Sequence, residues 1–182
     1  MAQLLRRTRR AIAFNTVAAL GDGPRQTPLP GFTLITTPQE LVRFVRARWA
    51  DGALRVLYTP QANVREHFDD VANLVWTMRD VVFAVDEVWY FQSPGWSPPA
   101  LSNMMLMGRI RGHTLLWTAQ RAAKVDKTLT SVSTELYVGK LTERRDLDAI
   151  RDCVPAEALE RVPALAQWRF IHVSDSGDWR EI

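Results

Sequence analysis

Two adjacent carboxylates, Asp86 and Glu87, close the apolar run "VVFAV" over residues 81–85. Charge at the end of a buried strand is costly unless something there uses it. A divalent cation is one such use. The first carboxylate holds Mg²⁺, directly or through water, and the second orients an attacking water. The alternative is structural, a helix cap or an ion pair at the strand's exit. Downstream, Arg109 and Arg111 flank Ile110 ahead of Gly112, and the apolar stretch "TLLWTA" runs into Gln120. A glutamine at that point touches a terminal phosphate or its water. An arginine stabilises charge developing on a phosphate in a neighbouring subunit. Either arginine alone also suits an exposed helix end.

These residues need a scaffold that gathers strand ends. "RRAIAFNTV" (residues 9–17) has the composition of a strand, followed by a polar, turn-rich loop over residues 21–30 and a short strand, "FTLITT". Thr37, Pro38 and Glu40 announce a helix with a capping box, and Leu41, Val42, Val45 and Trp49 form its apolar stripe. Asp51-Gly52 stops it, and "LRVLYTP" is the next strand. Asn63 with Glu66 opens a second helix, lined by Phe68, Val71, Leu74, Val75 and Met78. After the strand that ends at the acids, a proline-rich loop leads to a helix near residues 100–111. Then come the strand "HTLLWTAQ", a helical turn, the strand "ELYVGKL" and a helix over residues 142–154. A short helix and a hairpin, "WRFIHVSDSGDWREI", complete the chain. Alternating strands and helices, with several strands apolar throughout, predict an α/β fold whose largely parallel sheet carries helices on both faces. In such sheets ligands sit beyond the carboxyl ends of the strands, where Asp86 and Glu87 fall. One domain is expected over residues 1–182, with its core at about 4–152 and the helix and hairpin at 155–182.

At 182 residues and 47% hydrophobic composition the chain is long enough to bury a core. No apolar run approaches the roughly 18 residues of a membrane span. The lone cysteine, Cys153, excludes an internal disulfide and suits a reducing cytoplasm, and three scattered histidines argue against structural zinc. Four arginines, Arg6, Arg7, Arg9 and Arg10, crowd the first ten residues. They fit a nucleic-acid arm, the start of a transit peptide or a solvated helix end, while no apolar core of a secretory signal follows. Trp89, Tyr90, Phe91 and Trp96 cluster after the acids, either to stack on bases or a partner or to cover the end of their own sheet.

"RRAIAFN", "VVFAVDEVWYF", "GRIRGHTLLWTAQRAAKVDKTLT" and "LYVGKLTERRDLDAIRD", in this order and spacing, resemble the ATPase core of the FtsK/HerA superfamily, most of all its phage and mobile-element members of the zonular-occludens-toxin type. The resemblance spans residues 4–152. It implies a P-loop NTPase fold of the RecA/ASCE type, ATP and Mg²⁺ as ligands, and ATP hydrolysis within a homo-oligomeric DNA-translocation or virion-assembly motor, in the host cytoplasm or the virion. By position, Asp86 and Glu87 resemble the Walker B metal-binding and water-activating acids, Gln120 the polar sensor, and Arg109 and Arg111 the basic pair before the sensor strand. "FNT" stands where relatives often carry an acid.

The sequence has no G-x-x-x-x-G-K-[ST] phosphate loop. "VGKLT" lacks the upstream glycine and the adjacent hydroxyl, and "GDGPRQ" lacks the lysine. By the resemblance the loop precedes a helix whose remainder is "MAQLLRRTRR". Two expectations follow: a shortened form of a longer ATPase, or a non-catalytic assembly protein on the same fold. A plain nucleic-acid-binding module is the third reading. No appreciable ATP turnover is expected of the 182 residues alone.

Overall fold

A computed structural model describes Leu5, residues 8–16 and residues 29–182. Arg6, Arg7 and most of the turn-rich loop at residues 21–30 lie outside the described residues. The chain forms two compact units, Met1–Phe91 with Ser97–Ala119, and Gln92–Trp96 with Gln120–Ile182.

The first unit is built on five strands: β1 (Arg10–Phe14), β2 (Thr33–Ile35), β3 (Leu54–Tyr58), β4 (Val82–Val85) and β5 (Thr114–Trp117). They lie in the order β2-β3-β1-β4-β5, and every pairing is parallel. β1 and β4 are inner strands, and their continuous apolar sequences answer to burial on both faces. Among the described residues, α1 (Pro38–Arg48), α2 (Val64–Thr77) and α3 (Pro99–Met107) accompany the sheet. α2 buries Phe68, Val71, Ala72 and Val75, the spacing of one helical face. The Phe68 ring meets Phe14 edge-on at 5.3 Å and stacks on Phe91 at 3.9 Å, while Phe14 stacks on Tyr58 at 5.4 Å. Each such ring contributes about 2–3 kcal/mol of burial. The opposite face of the sheet presents Ala11, Ala13, Leu57 and Ala84 to Leu5, a helical residue, with Leu29 and Phe32 beside it. The expected α/β architecture with flanking helices is present.

Local chemistry explains where the elements begin and end. The Thr37 hydroxyl accepts the Glu40 N–H at 3.3 Å, as a cap should. Glu40 reaches back one residue further than a capping box requires and accepts from the Thr36 N–H at 3.5 Å. Asn63 does not cap α2 through its side chain. It takes the left-handed conformation (φ 48°), which asparagine tolerates better than most residues, and so turns the chain rather than capping it. The helix expected near residues 100–111 stops at Met107. A 3-10 turn, Gly108–Arg111, follows and closes on Gly112 at φ 73°.

In the second unit β6 (Glu135–Val138), β7 (Ile171–Ser174) and β8 (Trp179–Glu181) form an antiparallel sheet, with α4 (Lys127–Ser131), α5 (Arg144–Ile150) and α6 (Ala156–Arg161). The β7–β8 hairpin turns through Ser176-Gly177 as its sequence predicts, the Ser174 N–H donating to the Asp178 carbonyl at 3.0 Å. Ile150, Val154, Ala158, Val162, Ile171 and Val173 make its core. There the buried carboxylate of Asp146 pairs with the exposed Arg121 at 2.9 Å and also accepts the Ala123 N–H at 2.8 Å. A second hydrogen bond of this kind offsets part of the cost of burying the carboxylate. Among the described residues no helix is long and apolar enough to cross a membrane.

Candidate functional site

Because every strand of the first unit points the same way, the chain leaves all five at one edge. Asp86 and Glu87 stand there, directly after β4. The Asp86 N–H continues the ladder by donating to the Phe14 carbonyl at 3.1 Å. From the next strand, the Thr118 hydroxyl donates to Asp86 Oδ1 at 2.6 Å and accepts the Glu87 N–H at 3.1 Å. Thr118 is itself fixed at both ends of its peptide. Its N–H donates to the Val85 carbonyl at 3.1 Å, and its carbonyl accepts the Val88 N–H at 2.9 Å. From the other side, the hydroxyl of Thr16, fully buried after β1, donates to the Asp86 carbonyl. Threonines leaving β1 and β5 therefore grip the aspartate that leaves β4.

Glu87 is only 8% exposed and holds φ at 51°, a left-handed conformation that costs a non-glycine residue on the order of 1 kcal/mol. Its carboxylate accepts a hydrogen bond from the indole Nε1–H of Trp89. The backbone turn thus sends two consecutive acids along different paths: Asp86 half-buried against Thr118, Glu87 buried under Trp89.

The donors at this edge suit Mg²⁺, which binds hard oxygens and commonly uses one or two carboxylates with water and substrate phosphates. Asp86 supplies one carboxylate oxygen beyond the one Thr118 engages, and Glu87 supplies the acid beside it. Among the described residues no cluster of three or more metal-binding side chains exists, so a cation here needs further ligands from water or phosphate. The phosphate end is another matter. Within the first unit the described connections that leave the strands carry no lysine or arginine; beyond β5, Arg121 and Lys124 follow in the second unit, Arg121 paired with Asp146. Arg65, in the first turn of α2, lies over the Tyr90 ring at 5.1 Å.

Arg109 and Arg111 are not brought to the acids. They occupy the 3-10 turn that leads into β5, at the opposite edge of the sheet. The Arg111 carbonyl accepts the Asp80 N–H at 3.1 Å, which sets Arg111 level with Asp80, six residues and about 20 Å of strand from Asp86. The Arg111 guanidinium lies over Trp76 at 4.7 Å. Arg9 precedes β1 and Arg10 begins it at that same far edge, Arg10 over Trp49 at 4.2 Å. Gln120 is exposed, three residues beyond β5 and at the start of the second unit's main segment. The polar residue that β5 delivers to the acids is Thr118, which sequence reasoning passed over together with Thr16. Of the aromatic cluster, Phe91 is core, Trp89 holds Glu87, and Trp96 is 57% exposed.

By sequence, no family model and no curated protein matches this chain. Solved structures do match. The genome packaging NTPase B204 from Sulfolobus turreted icosahedral virus 2, in complex with AMP, superposes with a TM-score of 0.75 over 99% of this chain and 85% of its own, at 17% identity. The same protein in complex with ATP-gammaS gives 0.74 at 16% identity, with the same coverage. B204 from Sulfolobus turreted icosahedral virus, the DNA-packaging ATPase, gives 0.73 at 18%, again over 99% and 85%. The chain shares its fold with B204. At this identity the likeness is one of fold, and at that level the resemblance read from the sequence is borne out. Within this fold, Asp86 and Glu87 occupy the edge where open parallel α/β sheets bind ligands.

Proposed function

We propose that this chain is the ATPase core of a genome-translocation or virion-assembly motor, with Asp86 as the Mg²⁺ ligand and Glu87 as the residue that orients the attacking water. The observation that carries this reading is the acidic pair at the exit of an inner parallel strand, with its first member gripped by Thr118, in a fold shared with packaging NTPases solved with nucleotides. Bound Mg²⁺ and ATP would supply the electrophilic phosphate. The chain's own part is to hold Asp86 by the Thr118 hydroxyl and to keep Glu87 under Trp89 until a water replaces the indole contact. Gln120 is the candidate sensor of the terminal phosphate. Arg109 and Arg111 cannot serve the phosphate beside Asp86 of their own chain, so any role as fingers is toward a neighbouring copy in a ring.

The phosphate cradle is the missing part. The sequence holds no Walker A motif, and within the first unit the described strand exits offer no lysine or arginine to phosphate oxygens. The 182 residues alone are therefore expected to show no Glu87-dependent ATP turnover. The same lack of a cradle favours, as a second reading, an assembly protein on this fold that hydrolyses nothing. Steady-state ATP hydrolysis by the purified chain, beside Glu87→Gln, tests the point. Equal background rates are the expected result; turnover that Glu87→Gln abolishes would show that the cradle is complete.

A further inference from the structure

The edge of the first unit opposite the acids has its own chemistry. Four approaches lead into β3, β1, β4 and β5, over residues 48–53, 8–10, 79–81 and 108–113, counting the last residue of α1 and the first of β1. They contain six arginines, Arg9, Arg10, Arg48, Arg79, Arg109 and Arg111, against two aspartates, Asp51 and Asp80. That is an excess of four positive charges on one edge of a chain whose formal net charge is +3. Up to Ala119, where the first unit ends, the described connections leaving the strands, where Asp86 and Glu87 stand, contain no arginine or lysine; Arg121, paired with Asp146, and Lys124 follow in the second unit. The sheet is polarised, basic where strands begin and acidic where they end.

Geometry makes this edge a surface rather than a scatter of charges. The four strands are neighbours in the sheet, so at about 4.8 Å per strand the arginine-bearing connections span about 14 Å. Two guanidiniums lie over indoles, Arg10 over Trp49 at 4.2 Å and Arg111 over Trp76 at 4.7 Å, which limits the freedom they lose on contact. Arg9, Arg79 and Arg109 are exposed. Arg48 spends part of its charge on Asp51 at 3.4 Å. A depression of about 460 Å³, lined by Arg9, Arg10, Gly52, Asp80 and Gly112 among others, opens on this edge. Duplex DNA presents one negative charge per about 1.7 Å of its axis, so a span of this width meets several phosphates at once.

We infer that the amino-terminal edge of the parallel sheet is a docking surface for the phosphate backbone of duplex DNA, separate from the metal edge and independent of base sequence. Arg9, Arg10, Arg79, Arg109 and Arg111 make the contacts. This extends one reading of the N-terminal arginines, that of a nucleic-acid arm, to a surface completed by residues a hundred positions away. It rests on the reading of the chain as a genome motor, but its test uses no nucleotide, so either idea can fail without the other.

The experiment is fluorescence anisotropy of a labelled duplex of about 30 base pairs and arbitrary sequence, titrated with the full chain between about 50 and 200 mM KCl. Three proteins are compared: wild type, Arg79→Ala/Arg109→Ala, and Arg43→Ala/Arg65→Ala, which removes the same charge away from this edge. Melting curves confirm that each is folded. The expected result is a tenfold or greater loss of affinity for the Arg79/Arg109 pair, with the slope of log K against log salt shallower by about 2, and an unchanged slope for the control pair. Equal losses for both pairs would overturn the inference, since net charge alone would then explain binding. So would wild-type binding to polyglutamate but not to DNA, or no DNA binding even at the lowest salt.

Discussion

Thr118 shows how much of a site can rest on one side chain. Its hydroxyl gives its proton to Asp86 and its lone pair to the Glu87 N–H, so it sets the aim of the first acid and the turn that carries the second. Thr118→Val keeps the shape and removes both bonds. The variant should lose about 1–3 kcal/mol of stability, read as a lower denaturant midpoint with unchanged m-value, because two polar groups lose their partner. A loss below about 0.5 kcal/mol would mean that water replaces the hydroxyl freely. The acids were legible in the sequence because charge after an apolar run is expensive and asks for a reason. Thr118 was not, since a threonine at the end of a strand is ordinary in itself. It gains meaning only when β5 lies beside β4 and brings it across 32 positions to Asp86.

At the scale of elements, the turn between α3 and β5 places the arginines of the far edge. Gly112 sits at φ 73°, and a Cβ built there would meet Asp80 Oδ1 at 2.1 Å and the Asp80 Cα at 3.2 Å. Gly112→Ala must therefore strain the backbone and push Asp80 away, and should cost more than about 1 kcal/mol in thermal or denaturant unfolding. A neutral effect would show that the turn relaxes at no cost. His113 follows in the same turn, its Nε2–H donating to the Met78 carbonyl at 3.1 Å. Burial and the nearby Arg111 and Arg79 push its pKa down, against that hydrogen bond and Asp80. The sequence specified most of these elements through apolar period and turn residues, and the capped start of α1 is the clearest case. It does not carry what depends on backbone conformation or on tertiary pairing. Asn63 opens α2 as the sequence indicates, but the positive φ by which it turns the chain, without a side-chain cap, is not written in the residue pattern. The "ELYVGKL" strand suited a parallel sheet by its place in the alternation, yet β6 pairs antiparallel with β7. Strand direction is set by the partner, which periodicity does not encode.

At the scale of the molecule, one direction shared by five strands separates two kinds of chemistry. Acids lie where the strands end and arginines where they begin, although along the chain the arginines are spread over a hundred positions and look unrelated. The account stands or falls on the acidic edge being a cation site. The most direct measurement is Mn²⁺ binding in the presence of a non-hydrolysable ATP analogue, followed by loss of the free-ion paramagnetic signal, for wild type and Asp86→Asn. The account predicts binding by wild type that falls at least tenfold in the variant, about 1.4 kcal/mol or more, because an amide replaces the carboxylate ligand. Equal Mn²⁺ affinity for the two proteins would contradict it, and would leave Asp86 as a structural partner of Thr118 alone.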